Sequence, residues 1–111
     1  MTPRIVVEDV TAQVAFLRDV FDARGDVAEG RPAEILVGDS LIMVTAATER
    51  DRFPGFLYVY VDDADARYEK ALRAGATSLE PPLDTPYGDR RAMVRDPHGN
   101  IFQIAHQGPR R

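Results

Sequence analysis

The sequence carries one pattern of residues twice, at a constant offset of 54 positions. A short β-branched run at positions 4–7 precedes Asp9, and an apolar run at positions 56–61 precedes Asp63. Each aspartate is a good N-cap for a helix that begins just after it. The offset pairs Ile5 with Val59, Val7 with Val61, Asp9 with Asp63, Val10 with Ala64, and Val14 with Tyr68. The chain is therefore predicted to contain two copies of one folding unit.

Each copy contains a predicted amphipathic helix. Apolar residues recur after each aspartate at the spacing of one helix face. Gly25 follows the first pattern and Gly75 the second, and glycine supplies the left-handed residue on which many helices end. We expect the helices to stop at these glycines, the second helix being about one turn shorter than the first. The helix-face positions are Val10, Val14, Leu17 and Phe21, and then Ala64, Tyr68, Ala71 and Leu72.

Strand-like segments follow each predicted helix, at positions 34–39 and 41–44 and again at 92–96 and 101–104. The turn Asp-Pro-His-Gly-Asn at 96–100 is a strong hairpin signal, because proline presets one turn position and Gly-Asn tolerates positive φ. Asp39-Ser40 is its tighter counterpart. The whole pattern reads strand, helix and three strands, twice. It predicts an α+β chain of two tandem βαβββ modules.

The predicted organisation is a single domain, since neither half could bury a core alone. The first module covers residues 1–48 and the second 56–107. A linker at 49–55 interrupts the apolar pattern with charge and proline, and 108–111 form a tail. Pro81, Pro82 and Pro86 indicate a loose sheet edge in the second module.

Composition excludes several classes of function. The chain has 111 residues, a formal net charge of −4 and no cysteine, so we expect no nucleic-acid partner, no disulfide and no thiolate metal site. Its apolar runs fall far short of the roughly 20 residues that a membrane span needs. The start of the chain lacks a signal-peptide core, which predicts a cytoplasmic protein without a membrane partner.

Three motifs together resemble the vicinal oxygen chelate superfamily of glyoxalases, bleomycin-resistance proteins and extradiol dioxygenases. They are Tyr-Gly-Asp-Arg at 87–90, Arg-Asp-Pro-His-Gly-Asn at 95–100, and Val-Asp-Asp at 61–63 before a helix that ends Ala-Gly-Ala at 74–76. The likeness covers nearly the whole chain. It implies a cupped, mostly antiparallel sheet with the helices outside, usually in a homodimer. Whether the modules pair within one chain or across a dimer is left open.

The resemblance also locates the four places where metal-binding members carry ligands. Here those places hold Thr2, Met43, Phe56 and Gln103. A divalent cation prefers carboxylate or imidazole, so this set predicts no metal and no cofactor. His98 and His106 do not match a ligand position and are interpreted as exposed or capping residues.

Alternation along the strands then predicts which side chains line the cup. Three aromatic residues of one strand point inward, and Arg4 or Arg91 is available for a carboxylate or enolate of the ligand. The predicted ligand-binding set is Phe56, Tyr58, Tyr60, Met43, Arg91, Met93, Gln103 and Arg4. Further inward positions are Thr2, Leu41, Thr45, Ile101 and Ala105, with Phe53 and Tyr87 as weaker candidates at the rim. The aromatic strand face is also compatible with core or dimer interface, and Arg91 with simple solvation.

Three functions follow as hypotheses. The first is a metal-free protein that binds a small organic molecule, aromatic or otherwise apolar. The second is an enzyme of the lyase, isomerase or dioxygenase type. In its metal-free version Tyr58 or Tyr60 acts as an acid and Arg91 stabilises an oxyanion. The third is a partner in a heteromeric complex that uses the sheet edge.

Overall fold

A computed structural model describes residues 1–27, 30–47 and 54–108 of the chain. Within these ranges it contains two helices and seven strands. Their bounds are β1 (Arg4–Val7), α1 (Val10–Phe21), β2 (Ala33–Val37), β3 (Ser40–Ala46), β4 (Phe56–Tyr60), α2 (Ala64–Arg73), β5 (Thr77–Asp84), β6 (Asp89–Arg95) and β7 (Ile101–Gln107).

The strands form two sheets that repeat one connectivity. The first sheet has the order β1-β3-β2 and the second β4-β7-β6-β5. In each, the strand before the helix pairs in parallel with the last strand of its module, and the remaining pairs are antiparallel. This arrangement confirms the α+β class and the internal repeat. The β5–β6 register is irregular around Pro81 and Pro82, as expected for a sheet edge.

The two modules differ in one strand among the described residues. Where the second module has β5, the first has only an isolated antiparallel bridge between Arg24 and Leu36. The third strand predicted for this module is therefore missing from the described part of the chain. The connection contains positive-φ residues, including Gly25 (φ 126°) and Gly30 (φ 76°), and such conformations interrupt the extended backbone that a strand ladder requires.

The predicted helix starts are confirmed, and one of the predicted ends is wrong. Asp9 and Asp63 accept hydrogen bonds from the backbone N–H groups of the third residue along, as N-caps do. Gly75 follows the end of α2 with a φ of 101°. In contrast, α1 ends at Phe21 and the left-handed residue is Asp22, not Gly25. The second helix is 10 residues long against 12, less than a full turn shorter.

Arg67 of α2 explains why an aspartate ends α1. Its Nη2 lies 2.7 Å from Asp22 Oδ2, and its Nη1 donates to the carbonyl of Val20 in the last turn of α1. A third contact, 3.3 Å long, joins Nε to Asp62. Arg67 belongs to the second module, and its guanidinium thus donates to a carbonyl at the C-terminal end of the first module's helix.

We expect Arg67→Gln to reduce stability at neutral pH by an amount that becomes smaller in acid, where only the contact with the Val20 carbonyl is still lost. Hydrogen bonds and the charge of Arg67 lower the pKa of Asp22 and of Asp62 below the ordinary 3.8. A lowered pKa contributes stability that is present above 3.8 and is lost as the pH falls through the folded-state value. Thermal unfolding from about pH 6 to about pH 2 should therefore show converging curves for the two proteins. A difference that stays constant across this range contradicts the assignment.

The hydrophobic core lies between the helices and one face of each sheet. Its largest fully buried side chain is Phe102 of β7, whose ring centroid lies 6.0 Å from that of Phe16 and 5.4 Å from that of Phe21. Since both partners belong to α1, this aromatic cluster packs the second module against the first. Leu57 and Val59 of β4 also pack against this core.

A buried polar cluster makes a second connection between the modules. Gln13 of α1 donates from Nε2 to Asp96 Oδ2 over 2.8 Å and accepts from Asn100 Nδ2 over 2.7 Å. Asn100 Oδ1 in turn accepts from the Gly55 N–H over 2.7 Å. All three side chains are buried. The Asp-Pro-His-Gly-Asn turn therefore fixes the position of α1 as well as closing a hairpin.

None of the helices in the described ranges is long and apolar enough to cross a membrane.

Candidate functional site

The outer face of the second sheet carries a row of exposed aromatic side chains. Phe56, Tyr58 and Tyr60 alternate along β4 and keep 63%, 37% and 59% of their surface exposed. Leu57 and Val59, between them, point toward the core. The alternation predicted from the sequence is thus present, and the exposure rules out the reading of this row as core within one chain.

Strand register places three more predicted residues on the same face. Tyr58 is paired with Gln103, and Gln103 with Met93. Tyr60 is paired with Ala105, which is paired with Arg91. We call the surface formed by Phe56, Tyr58, Tyr60, Asp89, Arg91, Met93 and Gln103 the tyrosine face. Six of its members belong to the predicted ligand-binding set.

The other two predicted residues lie together in the first sheet. Arg4 and Met43 are register partners on β1 and β3, and the Arg4 Nη2 lies 3.9 Å from the Met43 Sδ. Arg4 is exposed and Met43 half-buried. Phe53, a weaker candidate, lies outside the described residues.

Asp89 is the residue that the sequence prediction missed. Its Oδ2 accepts the hydroxyl proton of Tyr58 over 2.8 Å and that of Tyr60 over 3.0 Å, while its side chain is buried. Thr85 holds the position through its Oγ1, which accepts from the Asp89 N–H over 2.9 Å. Because every second residue of a strand lies on the same face, a strand that includes Asp89 places it on the same face as Arg91 and Met93. The predicted strand began at residue 92, whereas β6 begins at 89 and includes it.

The two tyrosines form one hydrogen-bonded group with this carboxylate. Their ring centroids are 5.2 Å apart, and both hydroxyls converge on one oxygen atom. Burial and hydrogen bonding to Tyr87 and Asp89 raise the pKa of Tyr58 strongly, and the hydrogen bond to Asp89 with some burial raises that of Tyr60. Both phenols therefore keep their protons at neutral pH and well above it.

Arg91 is engaged rather than free. Its Nε and Nη2 each lie 3.0 Å from Glu80 Oε1, and its Nη1 donates to the Tyr87 hydroxyl over 3.1 Å. The Tyr87 oxygen is 3.4 Å from that of Tyr58. The interpretation of Arg91 as merely solvated is therefore wrong, because an ion pair occupies its guanidinium.

A cleft of about 330 Å³ opens beside β4, between the second sheet and the β2–β3 hairpin. It reaches both tyrosines and the apolar core at the junction of the modules. The one charged residue in the described lining is Asp39, in the exposed hairpin turn. The lining residues are Pro3, Leu17, Phe21, Val37, Gly38, Asp39, Ser40, Ile42, Leu57, Tyr58, Val59, Tyr60 and Phe102.

Comparison with known proteins decides the family. The model of the Glyoxalase/Bleomycin resistance protein/Dioxygenase superfamily matches residues 2–104. The chain belongs to this superfamily. The resemblance carried by the Tyr-Gly-Asp-Arg and Asp-Pro-His-Gly-Asn motifs is thereby confirmed.

Two relatives of this chain come from mycobacteria. An uncharacterized protein of Mycobacterium bovis is 27% identical over 122 residues, covering 94% of this chain and 80% of that protein. A putative glyoxylase, CFP32, of Mycobacterium tuberculosis is 33% identical over 87 residues. That match covers 76% of this chain and 33% of the relative, so it concerns about a third of CFP32.

Several solved structures share the fold over nearly the whole chain. TioX from Micromonospora sp. ML1 has a TM-score of 0.82 at 24% identity, covering 96% of this chain and 97% of that one. A superfamily enzyme from Burkholderia phytofirmans PsJN has a TM-score of 0.80 at 25% identity, covering 94% of each. The fosfomycin resistance protein FosX from Mesorhizobium loti has a TM-score of 0.73 at 23% identity, covering 96% of this chain and 89% of FosX.

The superfamily includes metal-dependent enzymes, but the residues at its ligand positions here do not fit a divalent cation. Thr2 and Gln103 offer neutral oxygens, Met43 offers a thioether, and Phe56 offers no donor. The described part of the chain contains no group of three or more His, Cys, Asp or Glu side chains that could hold a metal. His106 instead accepts the Ala64 N–H through Nδ1 over 2.8 Å and caps α2, as its interpretation as a capping residue predicted.

Proposed function

We propose that this member of the superfamily is a small-molecule-binding protein that works without a metal and holds an aromatic or apolar ligand on the tyrosine face. The observation that carries the proposal is the exposed row of Phe56, Tyr58 and Tyr60 above a buried carboxylate. The fold does not need these rings, because the core lies on the opposite side of β4. Contiguous exposed apolar surface of this kind marks interaction sites.

The tyrosine face is also preorganised for a ligand. Asp89 fixes both phenols, so a ligand that stacks on them immobilises few additional side-chain torsions. Half-buried Met93 and Gln103 extend the face with an adaptable thioether and one amide. Sites that bind small organic molecules are usually lined by apolar side chains with a few polar groups among them.

One structural neighbour is named for resistance to an antibiotic. FosX is named for resistance to fosfomycin, and antibiotics are one class of ligand that we propose for this chain. A homodimer remains part of the proposal, with a second copy covering the part of the tyrosine face that the ligand leaves open. Gel filtration at several concentrations distinguishes this dimer from a heteromeric complex.

The enzymatic alternative is less consistent with the geometry. A phenol whose pKa is raised is a weak proton donor at neutral pH, which argues against Tyr58 or Tyr60 as a general acid. Arg91 is already paired with Glu80 and Tyr87, so its guanidinium is not free to stabilise an oxyanion. These arguments favour binding over catalysis.

Thermal-shift screening of aromatic metabolites and antibiotics in the presence of EDTA tests the proposal. For a hit, we expect Tyr60→Ala to weaken affinity by about 1 to 3 kcal/mol, the scale of one aromatic contact. The free variant should melt near the wild-type temperature because Tyr60 is largely exposed and Tyr58 still donates to Asp89. Val27→Ala, which truncates another exposed apolar side chain, is the matched control and should leave affinity unchanged.

Two results would refute the proposal. One is equal affinity of wild type and Tyr60→Ala for every hit. The other is one tightly bound divalent ion per subunit in the purified protein, with binding that disappears in EDTA.

A further inference from the structure

The hydrogen bonds of the tyrosine face determine which polar groups it offers. A tyrosine hydroxyl has one proton and two lone pairs. Tyr58 and Tyr60 both donate that proton to Asp89 Oδ2. Toward a ligand, Tyr60 therefore presents acceptor lone pairs, and Tyr58 presents the lone pair that the Tyr87 hydroxyl, 3.4 Å away, leaves open. A ligand group that meets them must supply the hydrogen.

The charge behind these oxygens is negative and is not balanced by a neighbouring cation. Asp89 is 6% exposed, and no lysine, arginine or histidine of the described ranges forms an ion pair with it. The adjacent Arg91 is paired with Glu80, while Arg90 points to the other side of β6 and pairs with Asp65 and Asp84. A buried carboxylate acts over several ångströms because the protein around it screens weakly.

A further negative charge near the site also favours a positively charged ligand. The cleft beside the two tyrosines has Asp39 as the charged residue of its described lining. Arg95 shares the face of β6 with Asp89 but lies six residues along the strand, roughly 20 Å away, at the Phe56 end of the aromatic row. Arg4 lies on the first sheet beside Met43.

We propose that the tyrosine face selects aromatic ligands that carry a protonated amine or amidine next to the ring. The nitrogen would donate to the phenol oxygens of Tyr58 and Tyr60, with Asp89 behind them. The ring would stack on the exposed aromatic row, whose faces also attract cations. This inference rests on the proposed binding function and specifies its ligand class. It differs from the sequence-based expectation that Arg4 or Arg91 takes a carboxylate.

Three probes of similar shape test the proposal: 2-(2-naphthyl)ethylamine, which is protonated at neutral pH, 2-(2-naphthyl)ethanol and 2-naphthylacetate. Their affinities are measured by NMR titration at pH 7 in EDTA, on wild type, Asp89→Asn and Tyr60→Phe. Asp84→Asn removes an aspartate that pairs with Arg90 outside the tyrosine face and is the matched control.

In wild type we expect the ammonium probe to bind roughly tenfold more tightly than the carboxylate, with the alcohol between them. Asp89→Asn should reduce this preference below about threefold, and Tyr60→Phe should weaken the ammonium probe more than the alcohol. Asp84→Asn should keep the full preference.

The cation selectivity and the binding function are overturned by different results. If the alcohol or the carboxylate binds as tightly as the ammonium probe, or if Asp89→Asn keeps the full preference, the cation selectivity is overturned and the binding function stands. If none of the three probes binds to the tyrosine face at millimolar concentration, the binding function is overturned together with the selectivity.

Discussion

Replacing Asn100 with alanine is expected to destabilise the protein by about 3 kcal/mol, although the residue lies in a turn. The substitution removes the donor to Gln13 Oε1 and the acceptor of the Gly55 N–H, both at 2.7 Å. Gln13 is fully buried, so water cannot replace the lost partner. Urea and thermal unfolding measure the effect, and the midpoint should fall by roughly 10 °C or more.

The matched control is Asp39→Ala in the tighter hairpin turn of the first module. Asp39 is exposed, so the change should stay within about 0.5 kcal/mol. Equal stabilities of Asn100→Ala and Asp39→Ala would mean that the buried polar cluster does not hold α1 in place.

Phe102→Ala is expected to cost about 3 to 5 kcal/mol in the free energy of unfolding. Phe102 is 1% exposed and contacts two rings of α1, so its removal leaves a cavity between the modules. A large cavity at this position should also lower the cooperativity of unfolding, because each module buries part of its core against the other. Chemical denaturation followed by near-UV and far-UV circular dichroism measures both effects.

Phe56→Ala provides the comparison for this substitution. It truncates the same residue type where 63% of the side chain is exposed, so stability should change by less than about 1 kcal/mol. If Phe56→Ala destabilises as much as Phe102→Ala, the aromatic row of β4 is part of the core and cannot be a free binding surface.

The sequence repeat predicted the helices, the order of the elements except for the third strand of the first module, and the alternation of β4, because these depend on local patterns. Asp9 and Asp63 cap helices through their own side chains, and period-two alternation needs no information from the rest of the chain. The end of α1 was not predictable in this way. Asp22 takes the left-handed position beside Arg67, which lies 45 residues along the chain.

Dependence on residues that are not sequence neighbours also explains why the sequence analysis missed Asp89 in the candidate site. The aromatic and methionine positions followed from alternation alone, but the partner of the tyrosines depends on where β6 begins. That start is set by Thr85, whose backbone N–H and Oγ1 both bond to Asp89. The role of Asn100 in positioning α1 was not predictable either. Its turn motif is a local pattern, whereas its hydrogen bond to Gln13 joins residues 87 positions apart.

The central claim is that the tyrosine face binds a small aromatic molecule without a metal. Its most direct test is chemical-shift mapping of isotope-labelled protein titrated with 2-(2-naphthyl)ethylamine in EDTA. We expect saturable shifts concentrated on Tyr58, Tyr60, Asp89, Met93 and Gln103. Shifts confined to other surfaces, or shifts at this face that appear only after a divalent metal is added, would contradict it.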